Sequence, residues 1–68
     1  MRHDFTNSSS IKYAEYDTTD EVLTVCFSSG KEYKYKDVPK DIYLELVEAN
    51  SAGKFFQSCI KPVYKVID

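Results

Sequence analysis

The chain has 68 residues, 43% apolar and 29% charged, with a formal net charge of −2. By size scaling it folds to a surface of roughly 4,400 Å² from about 11,500 Å² unfolded, enough for one small core and no second domain. No apolar run exceeds four residues. That excludes a membrane-spanning helix, and the first residues show no apolar segment of the secretory type.

Charge is unevenly spread. The first thirty residues carry Arg2 and Lys12 against five acids, while residues 31–68 carry seven lysines against six acids. From residue 49 to residue 67 there are three lysines, Lys54, Lys61 and Lys65, and no acid; Lys31, Lys34 and Lys36 form a second group, diluted by Glu32. A solvated lysine surface is the plain account of both groups, and a phosphate-binding face is the functional one. Two cysteines, Cys26 and Cys59, are too few for a disulfide scaffold and read as reduced, half-buried core residues in a cytoplasmic setting. Neither has the spacing of a metal site, so no metal and no cofactor are expected.

Residues 1–10 are polar and aperiodic and read as a flexible lead-in holding the lone His3; Asn7-Ser8-Ser9 matches a glycosylation sequon that is idle without a secretory route. The folded domain is expected over residues 11–68. Residues 11–16 read as a strand whose parity slips between Ile11/Tyr13 and Ala14/Tyr16, the mark of a bulge. Residues 17–21 read as a turn built on Asp17 and Asp20. Together with Glu21, these acids are an ordinary acidic turn rather than a calcium loop. Residues 22–27 (Val-Leu-Thr-Val-Cys-Phe) are the clearest strand. Gly30 supplies the positive φ of the next hairpin, and residues 32–36 alternate, with Tyr33 and Tyr35 on one face and Glu32, Lys34 and Lys36 on the other.

Pro39 opens a helix, with Asp41 complementing its dipole. Ile42, Tyr43, Leu46, Val47 and Ala49 make its apolar stripe, and Leu44 falls outside that stripe. Ser51 caps a second helix over residues 52–60 that buries Phe55, Phe56, Cys59 and Ile60 and stops at Pro62. Residues 63–67 read as a short terminal strand or extended tail. The fold class is therefore α+β: a three-stranded antiparallel β-meander packed by two short helices, with a short C-terminal strand to follow.

No Gly-rich phosphate loop, metalloprotease or hydrolase motif is present, and no catalytic residue is assigned. Two features bear on binding. Tyr33-Lys34-Tyr35 interleaves aromatics with lysine, as in strands that stack bases and contact phosphate; the competing account packs both rings under the helices, because a chain with ten aromatics needs them for its core. Ser51-Ala52-Gly53-Lys54 puts a small residue and a lysine at a helix start, where one anion fits, although capping and packing already account for these residues.

Taken in order, Ser8-Ser9-Ser10-Ile11, Tyr16-Asp17, Leu23-Thr24-Val25-Cys26-Phe27, Ser29-Gly30, Tyr33-Lys34-Tyr35, Val38-Pro39, Tyr43, Leu46, Ala49, Ser51, Gly53-Lys54-Phe55-Phe56, Ile60 and Tyr64 resemble the KTSC domain, a short module named after the C-terminal region of some lysyl-tRNA synthetases. Glu15 departs from the pattern, where a small residue usually precedes the Tyr. The resemblance implies a stand-alone bacterial or phage-type domain of unknown role, and its attachment to a synthetase implies RNA contact. It supplies no catalytic residue.

The expectation that follows is a small non-enzymatic binding module contacting RNA weakly through Lys34, Lys36, Lys54, Lys61 and Lys65, with Tyr33 or Tyr35 at the edge. The alternative is a protein-interaction or regulatory module, a homodimer or the partner of a bacterial or phage protein, motivated by the net negative charge and by Leu44.

Overall fold

A computed structural model describes residues 1–6 and 10–67. Five strands and two helices follow one another as β1 (Arg2–Asp4), β2 (Ile11–Asp17), β3 (Val22–Phe27), β4 (Glu32–Tyr35), α1 (Lys40–Glu48), α2 (Ala52–Phe55), a π-helical turn (Phe56–Ile60) and β5 (Val66–Ile67). The strands form one antiparallel sheet in the order β1-β2-β3-β4-β5. The expected α+β meander of β2, β3 and β4 is there, and the sheet is wider than three strands by one short strand on each edge.

Within the stretch read as a flexible lead-in over residues 1–10, residues 2–4 form a strand, β1, that the reading did not include. Arg2, His3 and Asp4 pair with Glu15, Ala14 and Tyr13, and the backbone N–H of Phe5 donates to the Lys12 carbonyl at 2.9 Å. A sequence as polar as Arg-His-Asp has little strand propensity of its own. It is ordered by the free ladder groups along the edge of β2 and by the His3 ring set edge-on to Phe5 at 4.7 Å. The sequon at residues 7–9 lies outside the described residues.

The parity slip in β2 is a bulge between Ile11 and Tyr13. It lets Ile11, Ala14 and Tyr16 all reach the helix-covered side, where each is buried. The Asp17 carboxylate accepts from the backbone N–H groups of Thr19 and Asp20 at 2.8 and 3.1 Å, closing the turn as its composition requires. Gly30 takes φ +95° in the β3–β4 hairpin, whose ends are tied by the Phe27 N–H to the Lys31 carbonyl at 2.8 Å.

Pro39 stands at the start of α1 in extended backbone, its carbonyl accepting from the Ile42 N–H at 3.0 Å. Tyr43 and Leu46 are buried, with Ile42 and Val47 packed beside them, so the stripe lies on the sheet; Leu44 is 40% exposed. Ser51 caps α2 by accepting from the Lys54 N–H at 3.3 Å.

The second helix differs from a uniform turn-by-turn reading. After α2 the chain widens into the π turn, closed by the Lys61 N–H on the Phe56 carbonyl at 2.9 Å. Phe56 and Ile60 both point inward from it and are buried.

The core lies between the sheet and the helical layer, with Ile11, Leu23, Val25, Val38, Leu46 and Ile60 completely buried. Aromatic rings complete it: Tyr16 stacks on Tyr43 at 5.5 Å, while Phe56 meets Phe27 and Tyr35 edge-to-face at 5.1 and 5.7 Å. Among the described residues, no helix is long and apolar enough to cross a membrane.

Candidate nucleic-acid interface

Tyr33 and Tyr35 share the helix-covered face of β4, through their pairing with Val25 and Leu23. Their surroundings differ. Tyr35 lies under Phe56 and is 5% exposed, and burial raises its phenol above the usual tyrosine range. Tyr33 lies beyond the cover of the π turn and is 39% exposed, with its ring edge-to-face on Phe27 at 5.7 Å. Of the two central phenols, one is core and the other is rim.

Between that rim and the π turn runs a groove of about 410 Å³, lined by Phe27, Tyr33, Tyr35, Phe56, Gln57, Lys61, Tyr64 and Val66. The π turn supplies Phe56 as its inner wall and Gln57 and Lys61, four residues apart, as its polar side. A second hollow of about 390 Å³ adjoins it, lined by Ser10, Phe27, Ser28, Ser29, Lys31 and Tyr33. Beyond Tyr64 lies a third, of about 300 Å³, lined by Lys36, Asp37, Val63, Tyr64 and Lys65. The Lys36 N–H donates to the Lys65 carbonyl at 3.1 Å, extending the β4–β5 ladder and holding these two lysines side by side along the chain.

Of the residues expected to bind, Tyr33, Tyr35, Lys36, Lys61 and Lys65 therefore fall along one run of connected hollows. Lys34 does not. It pairs with Thr24 on the far side of the sheet and lines a separate hollow with Glu15, Asp17 and Asp20. Strand alternation alone separates it from the tyrosines beside it. Lys54 is also apart: it is exposed on α2, a single helical turn, and lines none of these hollows. Lys31, outside the expected set, belongs to the run. Its signal is its position just after Gly30, which puts it opposite Phe27 on the hairpin.

The uncovered sheet face is organised around Tyr13. The phenol donates to the Glu32 carboxylate at 2.5 Å, and the Arg2 guanidinium lies 4.0 Å from the ring centre. Arg2 also pairs with Asp4 and Glu15 at 3.1 and 3.4 Å. The Glu32 bond, with lesser help from desolvation and the carboxylate's charge, pushes the Tyr13 pKa up to about 12. Cys26 is buried on this face, Cys59 is half-buried on the π turn, and both thiols are free. Among the described residues no cluster of His, Cys, Asp and Glu has the arrangement of a metal site.

Comparison with known proteins covers nearly the whole chain. The KTSC domain matches residues 7–64. A protein of Tsukamurella paurometabola is 33% identical over 60 residues, 88% of this chain and 90% of that protein. An uncharacterised protein of Stutzerimonas stutzeri is 42% identical over 55 residues, 81% of this chain and 78% of its own length. The lysine–tRNA ligase of Trichormus variabilis is 40% identical over 55 residues, which make up 10% of that enzyme. The crystal structure of a KTSC domain protein from Yersinia pestis superposes with a TM-score of 0.90 at 28% identity, covering 100% of this chain and 94% of that one.

Proposed function

The chain belongs to the KTSC domain family, and from that premise we propose that it is a non-enzymatic binding module that holds single-stranded RNA weakly in the aromatic groove. The observation carrying this reading is the half-open Tyr33 ring between Lys31 and Lys61, in hollows that no acidic side chain lines. A π-face stacks on any base, and ammonium groups on either side meet the phosphates. The third hollow adds Lys36 and Lys65 against one acid, Asp37. A related segment occurs within lysine–tRNA ligases, whose name makes tRNA their substrate; this supports the reading by association. Free thiols and an RNA ligand both go with a cytoplasmic setting.

The test is fluorescence anisotropy of a labelled single-stranded RNA over a salt series. Four phosphate contacts, from Lys31, Lys36, Lys61 and Lys65, give a log–log slope of about −3. Replacing Lys31 and Lys61 together with Gln makes that slope shallower by about 1. RNA that fails to bind at low salt, or binds indifferently to salt, overturns the proposal.

Exposed Leu44 favours a second reading, in which α1 meets a protein partner or a second copy of the chain. Sedimentation that finds a monomer at every concentration counts against the homodimer.

A further inference from the structure

Resting on that reading, we infer that the groove takes two consecutive nucleotides, with the Tyr33 ring as the partition between their bases. Phe27 and Tyr33 are the two residues that line both adjoining hollows. Phe27 is half-buried and held edge-to-face by Phe56 at 5.1 Å and Tyr33 at 5.7 Å, which makes it the fixed base of the pair. Tyr33, 39% exposed, stands out between the hollows.

Each side has its own cation. Lys31 lines one hollow and Lys61 the other. The hairpin bond from the Phe27 N–H to the Lys31 carbonyl fixes the first beside Phe27, and the π turn fixes the second opposite Tyr35 and Tyr64. The two hollows, about 390 and 410 Å³, are nearly equal and each falls within the size range of small-ligand sites. The acid nearest in sequence, Glu32, is turned through the sheet to the Tyr13 hydroxyl, so the space around Tyr33 keeps its positive character. One stacking surface with a hollow and an ammonium on either side matches a dinucleotide step: two bases sandwich the ring and a phosphate lies toward each lysine.

The experiment titrates the whole chain with uridine monophosphate, the 5′-phosphorylated dinucleotide pUpU, which carries one phosphate for each lysine, and a longer oligouridylate, following backbone amides and the Gln57 side-chain amide by NMR. Expected is a rise in affinity of about tenfold from mononucleotide to dinucleotide, with signals of both Ser29 and Gln57 moving together. Tyr33→Ala lowers dinucleotide affinity by about fivefold or more and abolishes the step. Tyr33→Phe keeps the ring and keeps the step. If pUpU binds no better than the mononucleotide, if signals move in one hollow only, or if Tyr33→Ala leaves the step intact, the two-nucleotide slot is wrong even though long RNA binds. If long RNA itself does not bind, the broader proposal fails first.

Discussion

The hydroxyl of Tyr16 donates to the carbonyl of Val38 at 2.6 Å, across twenty-two positions of the chain. The same Val38 gives its backbone N–H to the Glu21 carbonyl at 2.9 Å. The residue that leads into α1 is therefore held from both sides by the β2–β3 end of the sheet. Tyr16 also stacks on Tyr43 of α1, so one ring couples sheet to helix by packing and by hydrogen bonding. Tyr16→Phe keeps the packing and leaves the buried Val38 carbonyl without this donor. The expected loss is about 1–2 kcal/mol. For a domain of this size that lowers the melting midpoint by about 4–8 °C for each kcal/mol. Thermal unfolding followed by circular dichroism measures it, and an unchanged midpoint contradicts the clamp.

The Tyr13–Glu32 pair makes a prediction for alkaline pH. The folded phenol titrates near 12, against about 10 when unfolded. Between those values the unfolded chain has lost the Tyr13 proton and the folded chain retains it. The bond's contribution is thus complete below pH 10 and fades as the pH rises through 12. Glu32→Gln removes the carboxylate that chiefly holds the proton. Phenolate absorbance should then show one tyrosine titrating closer to 10, with Tyr13→Phe identifying which one. A titration curve unchanged by Glu32→Gln would show that the bond has no hold on the proton.

Gly53 makes a close approach that is open to a double-mutant test. A Cβ at this position would collide with the Ser10 hydroxyl, while the Ser10 Cβ would remain at an ordinary 3.6 Å. Gly53→Ala alone is expected to lose about 1 kcal/mol or more despite the better helix propensity of Ala. In a Ser10→Ala background the same substitution should become neutral or stabilising. Equal effects in both backgrounds, read from urea midpoints, would rule out the collision.

What could be read from the amino acids follows the strength of each local signal. The β-branched run 22–27, the Asp17 turn, Gly30 and the Ser51 cap each had a local physical cause, and the fold uses each as expected. The parity slip at Ile11 and Tyr13 even located a bulge. β5 falls within the short terminal strand or tail expected over residues 63–67, whereas β1 left no such mark, because a strand of three polar residues exists only through the neighbour that offers a free edge. Separating Tyr33 from Tyr35 needed tertiary structure: both obey the same alternation, and only the reach of the π turn decides which is covered. The separation of Lys34 from the tyrosines follows from the strand alternation that the sequence already shows, and the structure keeps Lys34 on the opposite face.

Glu32 sits in sequence between a lysine and a tyrosine of the groove, yet its carboxylate is anchored on the opposite side by Tyr13. A single strand thus separates the hollow lined by Glu15, Asp17, Asp20 and Lys34 from the two that hold Lys31 and Lys61 without a carboxylate. A polyanion seated beside Tyr33 would therefore meet ammonium groups with no carboxylate in the same hollow to oppose them.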